Sequence, residues 1–199
     1  MRVLTVSIFL AAVASANAAS VLTNGNFEAS PLGTGWVEAT VGTPPMISNW
    51  AAATGGAVLT NSAFLGGYDN ALDSITQTFN VPAGMVGGTL SFDLTRYTAD
   101  TVGFDFLRVF VGGTQLASYD LGDANETAYL FSQPSITFTQ AFADPTSTVR
   151  FEVTTNGSDA SAAFIDNVSL EPTINVVPEP ASLAVLGLGA LGLLRRRRS

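Results

Sequence analysis

The sequence predicts an all-β fold, an antiparallel sandwich, on three observations. Apolar and polar residues alternate with period two: Leu90, Phe92 and Leu94 against Ser91, Asp93 and Thr95, and Val149, Phe151 and Val153 against Arg150, Glu152 and Thr154. Runs rich in β-branched and aromatic residues occur at Ile75 to Val81 and at Ile136 to Phe138. Glycine- or proline-bearing punctuation separates these stretches, at Gly55-Gly56, Gly66-Gly67, Pro82 to Gly88, Gly112-Gly113, Pro145 and Asn156-Gly157. Short half-buried strands at such spacing fit two packed antiparallel sheets.

In chain order, Met1 and Arg2 form a short positive start, Val3 to Val13 an apolar stretch, and Ala16-Asn17-Ala18 a small-residue cleavage site. Together these make a secretory signal peptide over residues 1–18, expected to be helical and to be cut after Ala18. One domain is expected over residues 19–171, long enough to bury about two-thirds of its unfolded surface. Inside it, Asp123 to Phe131 suggests one helical turn. Residues 172–180 read as an extended linker that ends in Val177, Pro178, Glu179 and Pro180. After it come 14 uncharged residues, Ala181 to Leu194, and then Arg195, Arg196, Arg197 and Arg198. As a helix the apolar run spans roughly 21 Å, short of the ~30 Å hydrocarbon core, so a temporary anchor fits better than a permanent span. The arginines favour the cytoplasmic side.

Charge and composition exclude several functions. Between the two targeting ends stand Arg96, Arg108 and Arg150 against fifteen acidic residues, 3 − 15 = −12, and the chain has no lysine. Such a surface repels phosphate backbones and anionic headgroups, which argues against nucleic-acid partners. The domain also lacks histidine and cysteine. A Ser-His-Asp triad, a Cys-His pair, a His-ligated zinc site and a lysine Schiff base are therefore out of reach, leaving a carboxylate pair as the surviving catalytic device. Without disulfides, the exported fold must be held by its core or by a metal.

The tail resembles the PEP-CTERM sorting signal of Gram-negative bacteria, carried by Val177, Pro178, Glu179, Pro180, the apolar run and Arg195 to Arg198. That resemblance implies export, transient membrane anchoring, and processing by an exosortase-type membrane protease before delivery to the cell surface or extracellular matrix. A second resemblance is to galactose-binding-like jelly rolls and carbohydrate-binding modules. It rests on Asn24-Gly25-Asn26-Phe27-Glu28 with Trp36, on Ser74 to Phe79 with Leu90 to Leu94, and on Ala163 to Leu170. It implies glycan binding, exopolysaccharide being the partner that fits an exported matrix protein.

Trp36, Trp50 and Tyr68 are the sugar-stacking candidates, because Pro and Gly neighbours suggest loops and an aromatic face offers apolar area with a polar edge. Tyr97, Tyr119 and Tyr129 are less favoured. In a regular closing strand Phe164, Asp166, Val168 and Leu170 share one parity, which would point a carboxylate inward with three apolar side chains. Such a charge needs protonation, an arginine such as Arg150, or a cation. The second resemblance implies a structural Ca2+ held by Glu28 and Asp166. The function expected is thus an exported, noncatalytic glycan-binding protein; the rivals are a structural biofilm protein with no discrete ligand and a carboxylate-pair glycosidase.

Overall fold

The computed structural model describes residues 19–56, 58, 60–98, 100–122, 129–158 and 161–175. Two antiparallel sheets pack face to face, and among the described residues there is no helix. One sheet holds β1 (Val37–Ala39), β4 (Leu72–Asn80), β10 (Thr146–Thr154), β6 (Phe106–Val111) and β7 (Thr114–Asp120), in the order β1-β4-β10-β6-β7. The other holds β2 (Ile47–Asn49), β3 (Asn61–Gly66), β11 (Ala162–Ile174), β5 (Met85–Tyr97) and β8 (Leu130–Ser132), ordered β2-β3-β11-β5-β8, with β9 (Ser135–Thr139) also paired to β5. The expected signal helix and C-terminal apolar helix lie outside the described residues.

Alternation makes the sandwich. Leu90, Phe92 and Leu94 of β5 face Val149, Phe151 and Val153 of β10, all at most 2% exposed, and Phe92 meets Phe151 edge-on at 4.9 Å between centroids. Ile75 and Phe79 of β4, Leu107, Val109 and Val111 of β6, and Leu65 of β3 complete the same core. Gln77 also points inward at 2% exposure, and its amide is satisfied twice over: Oε1 accepts from Thr23 N at 2.7 Å and Nε2 donates to Thr23 O at 2.8 Å. A buried amide paired in this way avoids the ~1–3 kcal/mol cost of an orphaned polar group and ties the N-terminal segment to β4. At the β6–β7 hairpin, Gly112 and Gly113 both take positive φ, 56° and 80°, the backbone a tight type I′ connection demands.

The opening segment lies against the closing strand. Val21 N donates to Leu170 O and Val168 N to Gly25 O, at 2.9 and 2.8 Å. A Cβ at residue 25 would sit 1.9 Å from Val168 O, so only glycine permits this approach. Two expectations need correction. The stretch toward Phe131 is not a helical turn where it is described: Leu130–Ser132 is strand β8, paired to Leu94, Thr95 and Arg96, while residues 123–128 lie outside the described part. The domain also does not end at Glu171, because β11 continues through Pro172 to Ile174, in register with Gly88, Gly87 and Met85. Pro172 is tolerated there because it falls beyond the stretch that β3 covers, so its missing N–H breaks no second ladder.

Candidate functional site

The closing strand changes face partway along. Ala163 and Ile165 point into the main core, and so do Val168 and Leu170, although these differ in parity. A β-bulge between Asp166 and Ser169, with Asn167 at φ 50°, supplies the extra residue. Regular parity is therefore the wrong premise for Asp166: it shares a face with Phe164, and that face is the outer one of the six-stranded sheet.

The register there sets side chains in rows across the strands. Phe64 stands opposite Phe164, Phe164 opposite Thr95, and Thr95 opposite Phe131, so one row crosses β3, β11, β5 and β8. Phe64 and Phe164 are 4.9 Å apart, Trp50 lies 4.8 Å from Phe64, and Tyr129 lies 6.0 Å from Phe164 and 5.3 Å from Tyr97. The next row places Asp166 directly opposite Asp93. Two hollows open along this face and share Phe164 as a wall. One, of about 310 Å³, is lined by Trp50, Thr54, Phe64, Tyr97 and Tyr129; the other, of about 250 Å³, by Thr60, Ser62, Asp93, Phe131 and Asp166. Phe131 is 63% exposed, an aromatic ring left open to solvent at the groove.

The polar end is densely bonded, and no cationic side chain lines it among the described residues. Asp93 accepts from Gln133 Nε2 at 2.8 Å and from Asn167 Nδ2 at 2.9 Å; Asp166 accepts from Thr60 Oγ1 and from Asn167 N, both at 2.7 Å. Burial pushes the Asp166 carboxyl above the usual aspartate range; the bonds from Thr60 and Asn167 oppose this, while the charges of Asp93 and Glu28 add to it. Ser62 is 1% exposed and its Oγ has no hydrogen-bond partner among the described residues.

The expected stacking residues separate on inspection. Trp36 is a core residue, 7% exposed, packed on Phe27 at 5.3 Å and Phe151 at 6.4 Å, with Nε1 donating to Asn24 O at 3.1 Å. The Pro- and Gly-rich turn before it does form a loop, but that turn aims the indole between the sheets. Trp50 belongs to the groove, held by Nε1 bonds to Met46 O and Ser62 O, each 3.2 Å. Tyr68 lines a third hollow, about 340 Å³, with Thr40, Met46, Trp50, Phe64 and Asp73. Its hydroxyl donates to Asp73 Oδ1 at 2.5 Å, and burial together with this carboxylate raises the phenol above its ordinary value.

Glu28 and Asp166 are neighbours through Thr60-Asn61: Glu28 Oε1 accepts from Asn61 N at 2.9 Å and Oε2 from Asn61 Nδ2 at 2.6 Å, while Thr60 serves Asp166. The donor set, two carboxylates and a hydroxyl, is the oxygen chemistry that calcium takes. Those carboxylate oxygens already hold protein donors, and no group of three acidic side chains converges as a cation cage among the described residues. Arg150, the alternative partner for Asp166, is elsewhere: it pairs with Glu152 and lies 4.2 Å over the Phe110 ring on the other sheet.

The sequence reading passed over Phe64, Ser62, Asp93, Phe131 and Phe164. A usable signal was present, since Phe64-Leu65 and Phe164-Ile165 break the apolar–polar alternation and mark strands whose two faces are both covered.

Comparison with known proteins adds to this geometry. A search of curated protein sequences finds no match. TmCBM61, solved in complex with β-1,4-galactotriose, aligns with a TM-score of 0.53 at 14% identity, over 77% of this chain and 99% of its own. CBM28, a carbohydrate-binding module specific for non-crystalline cellulose, aligns at 0.46 with 12% identity, over 78% and 97%. An arabinose-bound α-L-arabinofuranosidase aligns at 0.45 with 15% identity, over 78% of this chain but 27% of its own. Residues 176–198, outside the described part and containing the expected sorting residues Val177 to Pro180 and Arg195 to Arg198, match the PEP-CTERM protein-sorting motif. The chain thus joins a β-sandwich similar in fold to carbohydrate-binding modules to a C-terminal PEP-CTERM sorting motif.

Proposed function

We propose that this is an exported, noncatalytic glycan-binding protein, carried by its C-terminal motif to the cell surface or extracellular matrix, with the outer face of the six-stranded sheet as the binding groove. The observation that carries this reading is the row that runs from Phe64 and Phe164 through Thr95 to the exposed Phe131, beside hollows walled by Trp50 and bordered by carboxylates. Sugar rings present an apolar face and a rim of hydroxyls, and this groove presents the complement of both. Exopolysaccharide is the matching partner for a protein so delivered. A glycan array probed with the full chain is the test: binding to a defined set of oligosaccharides is expected, and a blank array would favour a structural matrix protein instead.

The sorting motif implies exosortase-type processing. Intact mass of the protein recovered from its host is expected to lack both residues 1–18 and the segment beyond Pro180; a mature protein that retains Arg195 to Arg198 would make the tail a simple anchor. A structural calcium ion at Glu28 and Asp166 remains part of the proposal, since it would relieve two carboxylates whose hydrogen-bond partners among the described residues are neutral. The opposed Asp93 and Asp166 favour one rival, a carboxylate-pair glycosidase. Release of reducing sugar that is lost in Asp93→Asn would establish that rival.

A further inference from the structure

The groove has a charge preference that its fold does not explain. Asp166 and Asp93 face each other across an antiparallel ladder, an arrangement of like charges that costs stability, and Glu28 adds to the field at Asp166. Among the described residues, the hydrogen-bond partners of these carboxylates are neutral: Gln133, Asn167, Thr60 and Asn61. No arginine lines the hollow, and the chain has no lysine to bring. In the same wall Ser62, 1% exposed, leaves its Oγ unpartnered, an unusual cost for a buried hydroxyl unless something else serves it.

We infer that this polar row takes a positively charged group borne by the glycan, so that the ligand class is a polymer of amino sugars with free amines. This inference rests on the glycan-binding reading. An ammonium has three donors and no acceptor, which answers a site of two carboxylates and one free hydroxyl. A carboxylate has about four lone-pair sites, and Asp93 and Asp166 each show two hydrogen bonds, so both keep room for a further donor. The aromatic row lies two residues along the strands, about 6.6 Å away. A sugar ring stacked on the exposed Phe131, above a hollow whose wall includes the buried Phe164, therefore carries a ring substituent toward Asp93 and Asp166. Acidic glycans meet the opposite situation: a uronate or sulfate here would face three carboxylates and no compensating cation.

The test is calorimetric titration of the full chain with a β-1,4-linked glucosamine hexamer, its N-acetylated counterpart, cellohexaose and an oligogalacturonate, at mildly acidic pH in EDTA. The free-amine hexamer is expected to bind about tenfold tighter than cellohexaose, equivalent to about 1.4 kcal/mol, and the oligogalacturonate not at all. In Asp93→Asn, which keeps the side chain's shape, that advantage is expected to fall within about twofold, the loss of a charge-assisted bond. Ser62→Ala, which leaves every described hydrogen bond of the fold intact, is expected to reduce it in part. Cellohexaose binding as tightly as the amine, or an advantage that survives Asp93→Asn, overturns the inference while leaving glycan binding standing. An amine advantage that appears only when calcium replaces EDTA also overturns it, assigning the row to a metal bridge. Absence of binding to all four sugars, together with a blank array, overturns both readings.

Discussion

Replacing Trp36 with alanine separates a core role from a binding role. The indole is buried against Phe27 and Phe151 and donates to Asn24 O, so truncation empties a volume between the two sheets and leaves that carbonyl with Phe27 N as its remaining donor. Trp→Ala in a core costs about 3–5 kcal/mol. For a domain of this length each kcal/mol moves the melting temperature by roughly 2–4 °C, so a fall of roughly 6–20 °C is expected. Trp36→Phe keeps most of the ring and loses the hydrogen bond, a cost of about 0.5–1.5 kcal/mol. Urea titrations give the free energies, and an unchanged m-value would show that the denatured state is not the source. Glycan affinity measured on the folded fraction is expected to stay at the wild-type level. A loss of stability below about 1 kcal/mol for Trp36→Ala, or a loss of affinity without one of stability, would refute the placement of this side chain in the core.

Phe131→Ala is expected to do the reverse. Its ring is 63% exposed, so stability changes by less than about 0.5 kcal/mol, whereas loss of a stacking face lowers affinity for the glycans found on the array by about tenfold. Melting across pH in EDTA tests Asp166: its folded carboxyl binds protons more tightly than the unfolded one, so the stability it contributes is present in acid and is lost as pH rises from the ordinary aspartate range through the raised folded value. Asp166→Asn is expected to remove that limb, and an unchanged pH profile would count against the burial of this charge. Calcium at 100 times its dissociation constant is expected to stabilise the full chain by about 2.7 kcal/mol over EDTA, and Glu28→Gln to abolish the difference. Equal melting of the wild type in both buffers would remove the metal from the proposal.

The core was legible in the sequence because alternation is a local signal. Leu90, Phe92 and Leu94, and Val149, Phe151 and Val153, needed only their own neighbours to declare an inward face, and all are buried. The groove was not legible, because its row joins Phe64 to Phe164 across a hundred residues of chain and then reaches Phe131 through β5. Pairing of that kind depends on strand order, which no local pattern encodes. Choosing aromatics by their loop surroundings also failed for Trp36, since Pro and Gly locate a turn but say nothing about which way the next side chain points. Glu28 and Asp166 were carried over from a resemblance, and their proximity through Thr60-Asn61 is a tertiary fact that spacing could not give.

Asn167 explains why a charge can sit in this strand at all. Without the bulge, keeping Val168 and Leu170 inside would turn Asp166 to the interior, where an unpaired carboxylate would cost several kcal/mol or stay protonated, while keeping Ala163 and Ile165 inside would expose Val168 and Leu170. The bulge inserts one residue between Asp166 and Ser169, so Val168 and Leu170 still reach the core while Asp166 turns to the groove. A bulge residue at φ 50° is a conformation that asparagine tolerates better than a β-branched or bulky side chain would. Its polar atoms are then used on both sides: the backbone N–H bonds Asp166 and the side-chain amide bonds Asp93, which holds two like charges opposite each other. The interruption also frees Val168 N from the ladder to donate to Gly25 O, joining the first segment of the domain to its last strand. One residue thus sets the core register, the acidic row of the groove and the closure of the two chain ends, which couples the site to the fold more tightly than a surface loop would.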